Sequence, residues 1–345
     1  MKQLFRIALI SVLFLNGCIP LDVVDFGAYD FNDGLAPAKR GKRWGYINKK
    51  SEWMIRPRFA RAWAFSEGRA LVLDKGKKAY IDTRGKVIFR PRAVMSLHFA
   101  EGLVPFSVKR IGRGPNPLWG YLDRQGKKHI QPVYNDAAPF SEGMARVNKD
   151  GFYEFIDKEG RTVFKSAHDE IWDFHDGRAR FFKDGRYGFA DSTGKEAIAA
   201  RFTRALDFSE GHAAVAEFIA SKDGRMARSY SFIDTRGKIV LRSEADELAG
   251  FSDGLARFRK GEKWGYMDLD GKVIVEPRFV FAGDFQDGRA PFRRDGLYGF
   301  IDREGKEVIP PKFTLARGFS HGAAFVRINT KSMYTDPKGK LFGPQ

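Results

Sequence analysis

The sequence lacks most of the features from which a chemistry is usually inferred. Cys18 is the single cysteine in 345 residues, which excludes a disulfide framework and a cysteine-based zinc site. The six histidines show no spacing typical of a metal centre. The apolar run from Ile7 to Leu15 is shorter than the roughly 20 residues that cross a membrane as a helix. We therefore expect no metal and no cofactor.

Catalytic motifs are present only in appearance. The string around Ser252 reads G-x-S-x-G, but Ser66 and Ser141 fill the same slot of a repeated hairpin, whereas a nucleophile needs a strand-to-helix elbow. The segment from Gly265 to Lys272 resembles a phosphate loop, yet five residues separate its glycines and Val273 follows the lysine. The sequence thus predicts no catalytic residues. A hydrolase whose acid and base come from different units stays an alternative.

What the sequence does contain is a repeat. The glycine that closes an F-x-[DE]-G turn recurs at steps of 34 residues, with two longer steps of 41 and 43. The polar residue that ends an aromatic-x-[ILMF]-Asp strand repeats with the same period and the same two insertions. Nine units are therefore present. Their turn glycines are Gly34, Gly68, Gly102, Gly143, Gly177, Gly211, Gly254, Gly288 and Gly322.

One copy of the unit, Trp264 to Phe292, reads as four short strands. The expected strands are Gly265 to Asp268, Lys272 to Val275, Phe279 to Phe285 and Arg289 to Phe292. Apolar residues alternate with period two, and 37 glycines supply turns. The fold class predicted is all-β, built from tandem β-hairpin repeats of about 34 residues.

Two architectures are compatible with such repeats: a closed ring and an open β-solenoid. The chain starts on a second hairpin, Phe31 to Ala38, and ends on a first hairpin, Tyr334 to Leu341. The two termini would then complete one unit together, which favours a propeller-like closed ring because closure removes exposed strand edges. An open solenoid tolerates any repeat number but needs caps, and it remains the second possibility.

The opening of the unit carries a family resemblance. It reads Trp-Gly-Tyr-Ile at Trp44, Trp-Gly-Tyr-Leu at Trp119 and Trp-Gly-Tyr-Met at Trp264. From about Phe26 to Gly343 the chain resembles the bacterial WG-repeat family. That resemblance implies an all-β repeat scaffold used for binding, with no catalytic residues.

The N-terminus has the pattern of an export signal. Lys2 and Arg6 precede the apolar run, and Leu-Asn-Gly-Cys ends it, which resembles a bacterial lipoprotein cleavage box with Cys18 as the lipidated residue. Ile19 after the cysteine resembles Gram-negative lipoproteins of the outer membrane. We expect a lipoprotein signal peptide (1–17), a lipid-anchored tether (18–30) and a single repeat domain (31–343), in the cell envelope.

Basic residues recur at equivalent positions of the repeat. The net charge is +17, and loss of Lys2 and Arg6 with the signal leaves +15. A basic residue follows the proline bend or its equivalent in several units, and two inserted loops are also basic. These candidate ligand-binding residues are Arg58, Arg92, Arg201, Arg278 and Lys312 in the bends, with Lys109, Arg110, Arg113, Arg225 and Arg228 in the loops. Such rows attract anions, and arginine suits phosphate and carboxylate.

These observations predict a non-enzymatic envelope lipoprotein that acts as a binding scaffold. Its partner would be an anionic envelope polymer, a lipid headgroup or an acidic protein, and its membrane contact the lipid anchor. Nucleic acid is a poor physiological partner for an exported chain. The alternative is a structural or assembly lipoprotein that binds another envelope protein and whose charge is incidental.

Overall fold

The computed structural model describes residues 30–93, 95–109, 116–168, 170–220 and 226–343. Within these ranges the chain forms thirty-five β-strands and no helix, so no described segment is a helix able to cross a membrane. Cys18 and the proposed signal and tether precede these ranges, apart from Asp30. The all-β prediction is confirmed.

The strands form nine antiparallel sheets, each made by one continuous segment, which we number as blades 1 to 9. Blade 1 contains β1 (Ala36–Arg40), β2 (Arg43–Ile47) and β3 (Trp53–Phe59). Blade 2 contains β4 (Arg61–Ala62), β5 (Ala70–Asp74), β6 (Lys77–Ile81) and β7 (Val87–Phe89). Blade 3 contains β8 (Met95–Ser96), β9 (Val104–Val108), β10 (Leu118–Leu122) and β11 (Lys128–Tyr134).

The middle blades have the same four-stranded order. Blade 4 contains β12 (Asp136–Ala137), β13 (Ala145–Lys149), β14 (Phe152–Ile156) and β15 (Thr162–Lys165). Blade 5 contains β16 (Glu170–His175), β17 (Arg178–Lys183), β18 (Arg186–Ala190) and β19 (Glu196–Phe202). Blade 6 contains β20 (Arg204–Ala205), β21 (His212–Ala220), β22 (Met226–Asp234) and β23 (Ile239–Ser243).

The last three blades complete the series. Blade 7 contains β24 (Glu247–Ser252), β25 (Leu255–Lys260), β26 (Lys263–Asp268) and β27 (Val273–Phe279). Blade 8 contains β28 (Phe281–Ala282), β29 (Ala290–Arg294), β30 (Leu297–Ile301) and β31 (Glu307–Phe313). Blade 9 contains β32 (Leu315–Ser320), β33 (Ala323–Ile328), β34 (Lys331–Thr335) and β35 (Leu341–Phe342).

The blades are offset by half a unit from the predicted strand grouping. The expected third strand, Phe279 to Phe285, is divided, because β27 ends at Phe279 in blade 7 and β28 begins at Phe281 in blade 8. A blade therefore joins the second hairpin of one sequence unit to the first hairpin of the next. Since blade 1 has its second to fourth strand positions in β1–β3, those strands are called second, third and fourth below.

Turn chemistry explains the strand ends. The Asp82 carboxylate accepts the backbone N–H groups of Arg84 and Lys86 at 3.0 and 2.8 Å, and Gly85 supplies the positive φ of 82° that the turn requires. The same Asp-x-x-Gly-Lys turn joins the third and fourth strands of other blades. The aspartate that ends the third strand thus holds the turn that follows it.

The glycine of the Trp-Gly dipeptide has a packing role. A Cβ on Gly265 would lie 2.4 Å from the Val275 carbonyl oxygen and 2.8 Å from the Pro277 nitrogen, because the fourth strand crosses there in a bulge. Blades with glycine at this place all have seven-residue fourth strands, namely β3, β11, β19, β27 and β31. Blades with Ala79, Glu154, Ser231 or Met333 there have fourth strands of two to five residues.

Tyrosines of the third strands connect neighbouring blades. The Tyr46 hydroxyl donates to the Trp63 carbonyl at 2.8 Å, and the Tyr121 hydroxyl donates to the Ala138 carbonyl at 2.7 Å. Burial raises the pKa of both phenols, so each stays protonated and able to donate. Each such bond contributes about 1 kcal/mol to stability, in addition to the apolar side chains packed between the blades.

The turns between first and second strands form a second connection, which the sequence did not predict. Eight of the nine turns carry an acidic residue with positive φ, and its carboxylate accepts the backbone N–H of the turn glycine in the next blade. The eight donor–acceptor pairs are Gly68–Asp33, Gly102–Glu67, Gly143–Glu101, Gly177–Glu142, Gly211–Asp176, Gly254–Glu210, Gly288–Asp253 and Gly322–Asp287, at 2.7 to 3.2 Å. Because these turns touch directly, the first strands lie at the inner edge of the ring.

The ring is closed between blades 9 and 1. The Ser320 hydroxyl donates to the Phe31 carbonyl at 3.1 Å, and the Tyr334 hydroxyl donates to the Pro37 carbonyl at 3.0 Å. The rings of Phe31 and Phe342 pack 5.8 Å apart. The predicted closed ring is confirmed as a nine-bladed β-propeller. The expected sharing of one sheet by both termini is wrong, since among described residues β1–β3 and β32–β35 are separate sheets.

Candidate functional site

Three of the predicted arginines lie on fourth strands at the outer edge of the ring. Arg58 and Arg278 are exposed, and each guanidinium donates to a carbonyl in the next blade, that of Gly85 and Gly305 respectively. Arg201 makes the equivalent bond to the Gly237 carbonyl at 3.2 Å. These side chains therefore clamp adjacent blades, a role that the sequence did not indicate.

The same arginines stack on the aromatic residue that follows them. The Arg58 guanidinium lies 4.9 Å from the Phe59 ring centre, and the Arg278 guanidinium lies 5.0 Å from that of Phe279. Lys312 in β31 lies 5.3 Å from the Phe313 ring. A cation held over an aromatic face keeps its charge and stays partly in solvent. These side chains remain able to face an anion.

The predicted row is spread over separate blades. Arg58, Arg201, Arg278 and Lys312 belong to blades 1, 5, 7 and 8, while Arg92 is exposed in the segment that follows β7 of blade 2. The row runs around the outer wall and does not converge on one recess. A ligand site therefore requires a place where cations from outside the row lie beside one of these residues.

The two basic insertions lie at the same end of the ring, because both join second and third strands and an antiparallel meander reverses at each turn. Lys109 is exposed directly after β9. Arg228 belongs to β22, where the insertion lengthens a hairpin, and its guanidinium lies 5.6 Å from the Phe218 ring. Arg110, Arg113 and Arg225 lie outside the described residues.

Among the predicted bend residues, Arg278 lies beside three further cations. It lines a cavity of about 470 Å³ between blades 7 and 8, which we call the basic recess. Lys263 comes from the turn end of β26, and Arg293 and Arg294 come from the turn end of β29. The recess thus gathers four cations. Its acidic lining residues are Asp295 and Glu307.

The charges of the basic recess are only partly neutralised. Arg294 forms an ion pair with Glu307, whose Nη2–Oε2 distance is 3.0 Å. Arg293 lies 5.6 Å from the Tyr298 ring. In the described part of the chain, no carboxylate lies within 4.0 Å of the Lys263 or Arg293 side-chain nitrogens. The recess therefore has a net positive charge, at a size suited to a sugar ring or a headgroup.

Sequence reasoning missed Lys263, Arg293 and Arg294 because they occupy turn positions between second and third strands, whereas Arg278 follows a proline bend. Only the packing of blade 7 against blade 8 brings the two positions together. The available signal was the cation doublet Arg293-Arg294, which stands beside a hairpin turn.

The motifs judged to be non-catalytic have structural partners. The Ser252 hydroxyl donates to the Phe285 carbonyl of the next blade at 2.6 Å, as Ser66 does to Phe99 at 2.7 Å. Ser252 is thus a blade-connecting turn residue. Among the described residues, no group of three or more histidine, cysteine or acidic side chains is arranged to hold a metal ion.

The tryptophans fall into two environments. Trp119, at the opening position of the unit, is buried in a blade core. Trp53 packs in the cluster that closes the ring. Trp172 is half-buried beneath the Arg180 guanidinium, 4.4 Å from its ring. Trp63 is half-buried and lines a cavity between blades 2 and 3.

The architecture and sequence period define a β-propeller built from Trp-Gly repeats. Seven segments match the family model described as "WG containing repeat", and together they cover more than half of the chain: 44–77, 119–153, 155–187, 187–217, 230–264, 264–298 and 298–331. The chain belongs to the WG containing repeat family. Each match begins in a third strand and ends in or beside the second or third strand of the next blade.

A solved structure shares the overall fold. The chain is similar to a crystal structure of a eukaryotic initiation factor, with a TM-score of 0.61 and 11% identity over 89% of this chain and 96% of that one. A structure of apo AztD from Citrobacter koseri aligns with a TM-score of 0.41 and 12% identity, over 90% and 94% of the two chains. The first similarity concerns the fold alone. No curated protein sequence matches this chain.

Proposed function

We propose that the ring is a non-enzymatic binding scaffold that takes an anionic ligand in the basic recess. The observation that carries the proposal is the convergence of Lys263, Arg278 and Arg293 on one cavity between two blades. A carboxylate or phosphate group there would meet several donors at once, with Arg278 held in position by Gly305 and Phe279. Glycans with acidic groups and lipid headgroups have this chemistry.

The location of the scaffold is part of the proposal. Cys18 would carry the lipid after removal of residues 1–17, so the ring would be tethered to the membrane of the cell envelope. A tether raises the effective concentration of the ring near envelope polymers, and modest affinity at the recess would then be sufficient. Palmitate labelling of the expressed chain, and its loss in Cys18→Ser, tests this part separately.

Binding is tested with the chain from residue 19 onward. The probes are lipopolysaccharide, polygalacturonate and neutral dextran, each titrated at low and high salt. The recess variant changes Lys263, Arg278 and Arg293 to Ser. A charge-matched control changes Lys86, Lys195 and Lys306 to Ser, which removes three cations from the turns at the other end of the blades. We expect salt-sensitive binding to an anionic probe, weakened at least about tenfold in the recess variant alone.

Two results would contradict the proposal. Equal loss of affinity in both variants would mean that overall charge, and not the recess, holds the polymer. Absence of binding to either anionic probe at low salt would remove the anionic ligand altogether. Thermal unfolding of both variants is measured in parallel, because Arg278 also connects blades 7 and 8.

A second candidate function is an assembly role with a protein partner. The β21–β22 hairpin of blade 6 extends to nine residues in each strand and exposes Phe218, Ile219 and Met226 at fractions of 46%, 42% and 64%. Apolar contacts depend little on ionic strength. An envelope protein that stays bound at high salt to the unaltered ring but not to the Phe218→Ser, Met226→Ser variant would favour this role.

A further inference from the structure

Blade 2 departs from the repeat at three aligned positions. In five blades an aromatic residue of the third strand pairs directly with an aromatic residue of the fourth strand: Trp44–Phe59, Trp119–Tyr134, Tyr187–Phe202, Trp264–Phe279 and Tyr298–Phe313. Lys78 and Ala93 hold these two positions in blade 2, and Ala79 replaces the glycine. The largest cross-strand pair of the blade is thereby removed.

The loss of the pair shortens the sheet. β7 ends at Phe89 after three residues, and the last pairs with β6 are Tyr80–Phe89 and Ile81–Val87. No fourth strand runs beside Lys78. In the preceding blade the equivalent aromatic pair fills the space against the first strand of the next blade. Here that space stays open between blades 2 and 3.

The opening is a cavity of about 510 Å³, which we call the blade 2–3 pocket. This volume lies within the range of roughly 300–1,000 Å³ that small-molecule sites occupy. Its walls are mainly apolar and come from both blades: Trp63, Leu71 and Tyr80 from blade 2, and Met95, Leu97 and Phe99 from blade 3. The Tyr80 hydroxyl donates to the Leu97 carbonyl at 2.6 Å and holds the two walls together.

The charged side chains that line the pocket are all positive. Lys78 and Arg69 line it, and none of its lining residues is Asp or Glu. The Arg69 guanidinium donates to the Gly68 carbonyl at 3.0 Å and to the Arg124 carbonyl at 3.3 Å, so its position is fixed while its charge is retained. His98 keeps an exposed face, but partial desolvation lowers its pKa, and the ring is neutral at neutral pH.

The geometry points to a second ligand site: the blade 2–3 pocket binds a small amphipathic anion, with an apolar ring or short acyl body and one carboxylate, sulfonate or phosphate group. The apolar body contacts Trp63, Met95 and Leu97, and the anionic group is directed towards Lys78 and Arg69. The site is separate from the basic recess, which lies between blades 7 and 8. Its existence does not depend on polymer binding there.

The test uses 8-anilinonaphthalene-1-sulfonate as the probe, followed by its fluorescence with the folded chain from residue 19 onward. We expect saturable binding at one site. Octanoate should displace the probe and octanol should do so at least about tenfold less well, since the octanol hydroxyl cannot form the charge-assisted contact with Lys78 and Arg69. Binding without saturation, or equal displacement by octanol, would overturn the inference.

Substitutions test whether the probe binds in the blade 2–3 pocket. Lys78→Met should weaken probe binding at least about tenfold, whereas Lys77→Met, which removes the neighbouring exposed lysine, should not. The double variant Lys78→Trp, Ala93→Phe restores the aromatic pair of the repeat and should abolish binding without lowering the thermal midpoint. Unchanged binding in Lys78→Met would contradict the site. If the double variant unfolds, the folded Met95→Glu variant decides the question instead: its added negative charge should abolish binding of the anionic probe, and retained binding would contradict the site.

Discussion

The Oδ2 atom of Asp287 accepts the backbone N–H of Gly322 at 2.7 Å, which joins blade 8 to blade 9. It is the last of eight carboxylate–amide bonds around the inner edge of the ring. At the ninth turn His321 takes the place of the acid, with the same positive φ of 51°. The junction where the chain closes is therefore held by other contacts, chiefly those of Ser320 and Tyr334.

Replacing Asp287 by Asn removes the charge but keeps a residue that tolerates positive φ. We expect the free energy of unfolding to fall by about 1–2 kcal/mol, because a charge-assisted bond to a backbone amide becomes a neutral one. Urea unfolding measures the change. Asp184→Asn is the control: Asp184 also has positive φ, in the turn between β17 and β18. Equal effects of the two substitutions would deny the role of the inter-blade bond.

The pH dependence of stability follows from carboxylates whose pKa is lowered in the fold. The Thr193 hydroxyl donates to Asp191 at 2.7 Å and lowers its pKa below the ordinary 3.8. Burial raises the pKa of Glu67, but hydrogen bonds from Arg124 and Gly102 outweigh this effect, and the pKa lies below 4.5.

A lowered pKa means that the stabilisation is fully present above the ordinary pKa and is lost as the pH falls through the lower folded value. We therefore expect a level thermal midpoint above pH 4.5 and a decline below it. In the Asp191→Asn, Glu67→Gln variant the decline should be shallower, as followed by circular dichroism. A decline of the same slope in the variant would show that other groups control acid unfolding.

Arg278 has two roles that substitutions can separate. Arg278→Lys keeps the charge of the basic recess but loses the planar contact with Phe279 and Gly305, so stability should fall by about 1 kcal/mol. Arg278→Ser should in addition lower the slope of log affinity against log salt by about one. The control is Arg201, which makes the same kind of contacts in another junction. Arg201→Ser should change stability and leave the salt slope unaltered.

The Trp-Gly glycine is required only where the fourth strand is long. Gly265→Ala would place a methyl group 2.4 Å from the Val275 oxygen, and we expect a loss of about 1–3 kcal/mol. The comparison variant is Ala79→Gly, because Ala79 holds the same position in blade 2 beside the short β7. Its effect should be below about 1 kcal/mol, from the added flexibility of the unfolded chain alone. Thermal midpoints of the two variants would show whether this difference exists.

The repeat period, the turn aspartates and the closed ring could be predicted from the sequence, because each depends on local chemistry repeated in every unit. The half-unit offset could not, since alternation marks the strands but not which hairpins share a sheet. The role of Glu67 as a hydrogen-bond acceptor between blades could not be predicted from the sequence either. The sequence of a turn with an acidic residue is the same whether its carboxylate faces solvent or accepts the backbone N–H of the next blade.

The sites are less visible in the sequence for a related reason. Lys263 and Arg293 belong to different units, and only blade packing brings them to Arg278. The blade 2–3 pocket did leave a signal, because Lys78 stands where the opening tryptophan is expected and Ala93 where an aromatic residue follows the bend. In this repeat protein, residues that depart from the repeat mark the blade that carries the pocket.

Each four-stranded blade is complete within one uninterrupted segment, and no described sheet is shared between the two ends of the chain. Gene duplication of a single unit would therefore insert a whole blade with its own turn acid, turn glycine and third-strand aromatic, and deletion would remove one just as cleanly. The seam between Phe342 and Phe31 joins two separate sheets, not two parts of one. Such a ring can gain or lose one blade at a time, and the departure of a single blade from the repeat, as in blade 2, can open a pocket without disturbing the other blades.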